Sequence, residues 1–114
     1  MKNIYPTKYA ELSNGESLGY RECGEGTVVI LLHGNFTCSK VMEPIMSKLS
    51  KHLKCIAPCM RGFGYSSYNN EIASLKDLAT DLKLFITENL KVDKFYVTGH
   101  QLGGCVALEL AHMM

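Results

Sequence analysis

The sequence predicts an α/β fold, and three observations predict it. Strand-like apolar runs alternate with helix-like amphipathic ones along the 114 residues, the order that gives mostly parallel strands joined by right-handed crossovers. One run, Thr27-Val28-Val29-Ile30-Leu31-Leu32, is continuously apolar and rich in β-branched residues, as a strand covered on both faces must be. A later strand-like run, 94–98, passes directly into Gly99-His100-Gln101-Leu102-Gly103-Gly104 and then an apolar helix. Glycines at the first and fifth places of so sharp a turn admit a backbone that a Cβ would obstruct.

Taken in order, residues 8–13 and 16–23 read as two strands around Asn14-Gly15, a hairpin signal in which both turn positions take positive φ. The buried strand at 27–32 then runs into His33-Gly34-Asn35-Phe36-Thr37-Cys38-Ser39. A helix is expected over 41–49, its first turn limited by Pro44, with Met42, Ile45, Met46 and Leu49 as its apolar stripe. A short strand at 53–57 leads into Pro58-Cys59-Met60-Arg61-Gly62-Phe63-Gly64-Tyr65-Ser66-Ser67-Tyr68, a loop by its glycines and proline. Ser74 and Asp77 mark a helix start. That helix runs to about residue 89 or 90 and buries Leu75, Leu78, Leu82, Phe85 and Ile86. The last helix, 104–114, presents Val106, Leu110 and Met113 on one face, with Cys105 and Leu108 close to it. Hairpin, strand, helix, strand, helix, strand, helix describes a three-layer αβα arrangement. Its candidate site lies in the loops beyond the carboxyl ends of the strands.

Composition bounds the rest. Hydrophobic residues make up 46% and charged residues 20%, which suits a packed core rather than disorder. The length fits one domain, 1–114, though it is short for an α/β enzyme. A net charge of +1 gives no electrostatic case for a nucleic-acid partner or an anionic membrane surface. No apolar run follows the first six residues, so no signal peptide is expected, and no stretch approaches the ~18 apolar residues of a membrane span. Five cysteines, an odd number without a C-x-x-C pair, point to reduced thiols and a cytoplasmic protein. No cofactor and no metal are expected. Cys55 and Cys59 flank Pro58 in no zinc-ligand pattern, and a centre built from Cys59, His33 and His100 is a poor alternative.

Three motifs carry a resemblance. They are His33-Gly34-Asn35 after the buried strand, Ala57-Pro58-Cys59-Met60-Arg61-Gly62-Phe63-Gly64-Tyr65-Ser66 after the next, and Gly99-His100-Gln101-Leu102-Gly103-Gly104. In this order and at these strand ends, they resemble the N-terminal part of the α/β-hydrolase family, of the esterase and lipase type, over about residues 16–114. The third motif resembles that family's nucleophile elbow. The resemblance implies that Gln101 stands where the nucleophile would be. It implies oxyanion-hole donors at Asn35 and Leu102, each well-placed donor of this kind being worth ~3–4 kcal/mol. It implies that His33 supports its loop rather than acting as a base, that the side chain of His100 points elsewhere, and that Gly34, Arg61, Gly62, Gly64, Gly99 and Gly103 maintain the motifs.

The chain departs from the pattern in three places. Gln101 replaces Ser, Asp or Cys; Cys59 follows Ala57-Pro58 where Asp is usual; and the family's acid and catalytic His belong to later strands, beyond Met114. The expectation is therefore a protein of ester-hydrolase ancestry, inactive as it stands because a triad needs its members in one site. The alternative is a binding module that takes a small ester-like ligand, with Gln101 lining the pocket. A live enzyme using Cys59 as nucleophile is a third and weaker reading. Residues 94–98 are expected to leave an apolar edge, Phe95-Tyr96-Val97, open to self-association or to a companion chain.

Overall fold

The computed structural model describes residues 5–34 and 38–114. Five strands form one sheet: β1 (Lys8–Glu11), β2 (Ser17–Cys23), β3 (Val28–Leu32), β4 (Lys54–Pro58) and β5 (Phe95–Gly99). The order across the sheet is β1-β2-β4-β3-β5. β4, β3 and β5 run parallel, and the β1–β2 hairpin extends the sheet antiparallel beside β4. Three α-helices join them: α1 (Glu43–Leu49), α2 (Leu75–Leu84) and α3 (Leu102–Met113). This is the expected α/β architecture.

β3 is buried along its whole length because its alternating side chains enter two separate cores. Val28, Ile30 and Leu32 pack with Leu78, Leu82, Phe85, Ile86, Val106 and Leu110 beneath α2 and α3. Val29 and Leu31 pack with Met42, Met46, Cys55 and Ala57 beneath α1. The connections leaving β3 and β5 thus lie on opposite faces of the sheet. That divergence opens a crevice beyond the carboxyl ends of the two strands.

Local chemistry explains where the elements differ from expectation. Only Gly15 in the hairpin turn has positive φ, at 90°. The turn is a three-residue loop, closed by Gly15 N–H to Leu12 O and Leu12 N–H to Glu16 O, and such a loop needs one left-handed residue instead of two. The first helix begins as a 3-10 turn, Ser39–Met42, before α1, whose Pro44 sits in the first turn. Ile45 is exposed there, so the stripe is narrower than predicted. Leu75 is also exposed, at the first position of α2, before the helix has met the sheet.

At the start of α2, the Asp77 carboxylate accepts the N–H groups of Ala73 and Ser74. The helix continues as a π-helical stretch, Phe85–Leu90, and stops at left-handed Lys91. α3 opens two residues earlier than predicted, at Leu102. Cys105 is exposed and Leu108 is 75% exposed, so neither joins the buried face formed by Val106 and Leu110. No helix among the described residues is long and apolar enough to cross a membrane.

Candidate functional site

The turn from β5 to α3 has the geometry of a nucleophile elbow. Gln101 adopts φ 53° and ψ −117°, a left-sided conformation that a residue with a Cβ occupies at a cost of about 1–3 kcal/mol. The flanking glycines are sterically required. A Cβ on Gly99 would stand 2.2 Å from the carbonyl carbon and oxygen of Gly103, and one on Gly103 would stand 2.5 Å from the carbonyl oxygens of Leu32 and His33. The turn is anchored to β3 by His100 N–H donating to Leu32 O at 3.1 Å. Gly103 N–H returns to His100 O at 2.9 Å. Leu102 is the first residue of α3, where a helix leaves its N–H groups without intrahelical acceptors.

The loop after β3 packs against this turn through Gly34. A Cβ there would meet Gln101 Oε1 at 2.7 Å and His100 Nδ1 at 2.9 Å. Both side chains therefore crowd the same glycine. Asn35, the second expected donor position, lies outside the described residues.

His33 is fully buried, and its tautomer follows from its partners. Met60 N–H donates to Nε2 at 2.9 Å, so Nδ1 carries the proton and donates to Gly34 O at 2.8 Å. Burial pushes its pKa below the usual histidine range, against the smaller opposing effect of the Gly34 carbonyl. A neutral imidazole with both nitrogens engaged ties the loop after β3 to the loop after β4.

The loop after β4 is held from below. Arg61 grips Asp81 of α2 with two bonds, Nε to Oδ2 at 2.8 Å and Nη2 to Oδ1 at 2.7 Å, and Nη1 donates to Asn70 O at 3.1 Å. Asp81 also accepts Asn14 Nδ2 at 2.8 Å. Beside them Glu16, fully buried, accepts from Ser67 Oγ, Asn69 N–H and the backbone and side chain of Asn70. Burial alone would raise the Glu16 carboxyl, but these donors outweigh it and hold the group below the usual carboxylate range.

Gly62 and Gly64 have positive φ, 82° and 53°, and Gly64 closes against the side chains of Cys38 and Cys59. Cys59, where the family pattern has Asp, is buried. Its Sγ lies 3.2 Å from both Ser39 N and Ser39 Oγ. Of the predicted site residues, the structure brings His33, Gly34, Gly99, His100, Gln101, Leu102 and Gly103 together. Arg61, Gly62 and Gly64 form the adjoining support.

Sequence reasoning assigned no role to Glu16 or Asp81, although a carboxylate set between the apolar positions Leu78, Leu82 and Phe85 was a visible signal. Among the described residues no three His, Cys, Asp or Glu side chains gather as metal ligands do.

A family model described as the alpha/beta hydrolase fold matches residues 27–113. The chain belongs to the α/β-hydrolase fold family. A haloalkane dehalogenase of Bradyrhizobium diazoefficiens is 35% identical over 99 residues, covering 85% of this chain and 32% of the relative. A soluble epoxide hydrolase of a Corynebacterium species is 30% identical over 106 residues, covering 93% and 37%. Among solved structures, an epoxide hydrolase from Vigna radiata matches with a TM-score of 0.87 at 26% identity, over 95% of this chain and 35% of that one. This α/β-hydrolase chain thus spans about a third of the length of the curated relatives it matches.

Proposed function

We propose that residues 16–114 form part of an α/β-hydrolase domain whose elbow no longer carries out covalent catalysis. Gln101 at the nucleophile position carries this reading. A carboxamide nitrogen has its lone pair delocalised and its oxygen is a weak nucleophile, so the elbow offers neither a hydroxyl, a thiol nor a carboxylate. The ancestry we infer is hydrolysis of small uncharged electrophiles, carboxylic esters among them. Relatives are named for haloalkanes and epoxides, and one structural neighbour is an enol-lactonase. Leu102 N–H and, by its place in the motif, Asn35 are the proposed oxyanion donors. His33, Gly34, Arg61, Gly62, Gly64, Gly99, His100 and Gly103 are the proposed scaffold. The odd number of cysteines, without a C-x-x-C pair, supports a cytoplasmic location.

The test is exposure of the purified chain to an activated ester and to a fluorophosphonate. The expected result is hydrolysis no faster than the buffer control and no mass adduct. Gln101→Ser in the same chain is expected to remain unlabelled, because the imidazole of His33 is committed to Met60 and Gly34 and does not serve as a base. Stoichiometric labelling of the native chain overturns the proposal.

A second reading, a ligand-binding module, is favoured by one observation. An apolar cleft of about 220 Å³ lies beside the elbow, lined by Leu31, Met42, Ile45, Leu49, Thr98, Gly99 and His100. Gln101 would place an amide near it, suited to an ester, acid or amide group. Thermal stabilisation by such small molecules supports this reading, and an unchanged melt across all three classes removes it.

A further inference from the structure

We infer that Cys23 and Cys55 form a redox-active dithiol site, converted to a cross-strand disulfide by exchange with a low-molecular-weight disulfide of the glutathione type. The carrying observation is register: Cys23 at the end of β2 lies directly opposite Cys55 of β4 in an antiparallel ladder. Opposed residues in such a ladder have Cα atoms about 4.5–5.5 Å apart and side chains on the same face. Disulfides require about 4.4–6.8 Å. The two thiols share the core beneath α1. Cys23 Sγ lies 3.8 Å from Met46 O and Cys55 Sγ lies 4.0 Å from Leu53 O, long and weak sulfur contacts to give up, and the two thiols also contact each other.

Exposure sets the order of events. Cys23 is half-buried and Cys55 is buried. Burial first, and then the neighbouring Cys23, push the Cys55 thiol up to about 11. Cys23 therefore meets the oxidant. Its thiolate attacks one sulfur of the small disulfide, forming a mixed disulfide and releasing one small thiol. Cys55 then gives up its proton and attacks the Cys23 sulfur, and the second small thiol leaves. Two protein thiols are oxidised and one small disulfide is reduced to two thiols, which take up the two protons. The product staples the antiparallel hairpin to the parallel part of the sheet. It closes a loop of about thirty residues, long enough to raise Tm by roughly 10 °C.

A competing pair exists and must be separated. The sulfurs of Cys38 and Cys59 lie 3.6 and 2.8 Å from the point where a Gly64 Cβ would stand, but these residues are not opposed in a ladder. Trypsin places both pairs on the same two peptides, 22–40 and 55–61, so variants are needed. The reduced native chain is incubated with oxidised glutathione, alkylated and weighed. The expected product has lost two hydrogens and melts higher. It forms equally in Cys38→Ser and Cys59→Ser, and is absent in Cys23→Ser and Cys55→Ala. Cys23→Ser, at a half-buried strand end, keeps the test valid should Cys55→Ala fail to fold. A cross-link that survives Cys23→Ser, one that disappears in Cys38→Ser, or glutathione adducts without any internal link overturns the inference.

Discussion

At the residue scale, the site is held by side chains whose partners determine their protonation. His33 is neutral because Met60 N–H needs the Nε2 lone pair and because burial disfavours charge. Its folded pKa lies below the unfolded value of about 6.5, so the unfolded chain binds more protons just below that pH. The stability contributed by neutral His33 is complete above about pH 6.5 and is lost as pH falls towards the folded pKa. Melting curves between pH 8 and 5 are expected to show a midpoint that drops on acidification, with a shallower drop in His33→Gln. The depressed carboxyls of Glu16, Asp77 and Glu88 begin to lose their contribution only from about pH 5 downward, at the acid edge of this window.

The position of His33 directly after a buried strand was legible in the sequence, because the apolar run 27–32 ends there. The sequence could not supply the tautomer, since Met60 N–H is brought by another loop 27 residues away. Nor could it foresee that His100 and Gln101 both press on Gly34, because that contact joins two loops through the sheet.

At the element scale, the hairpin, the loop after β4 and α2 are bound by one buried ionic cluster. Asp81 stands at its centre, taking two bonds from Arg61 and one from Asn14. Removing one partner of a buried pair leaves an uncompensated charge, with a cost of about 3–5 kcal/mol. Asp81→Ala is therefore expected to lower stability by that order in urea titrations. Arg61→Met combined with Asp81→Leu is expected to lose much less than the sum of the singles, because neither charge remains.

The elements themselves were legible to within a few residues, since β3 is uniformly apolar and α2 has a strong start. The misread burials share one cause. Leu75, Leu108 and Cys105 follow helical periodicity, but they fall where the helix does not face the sheet. Periodicity reports a stripe without reporting what covers it.

At the scale of the whole molecule, β5 is the last strand of the sheet among the described residues. It pairs with β3 on one side only, and Tyr96 is 66% exposed. Unpaired N–H and C=O groups on such an edge recruit other strands. We propose concentration-dependent self-association of this chain through β5. Sedimentation is expected to show the monomer fraction rising in Tyr96→Lys, which places a charge on the edge. A native chain that stays monomeric over the same concentrations removes the idea.

The sheet enforces the elbow, and Gln101 at its centre carries no hydroxyl, thiol or carboxylate. Gly99 against Gly103, Gly103 against the end of β3, and His100 against Leu32 impose the turn, so Gln101 bears its strain as part of the global fold. The most direct measurement is the thermal midpoint of Gln101→Gly against the native chain. Glycine occupies φ 53°, ψ −117° without a Cβ penalty, so the variant is expected to be more stable by roughly 1 kcal/mol. A variant that melts at or below the native midpoint would contradict this, because the strain at Gln101 would then not exceed the roughly 0.4–1 kcal/mol by which glycine loosens the unfolded chain.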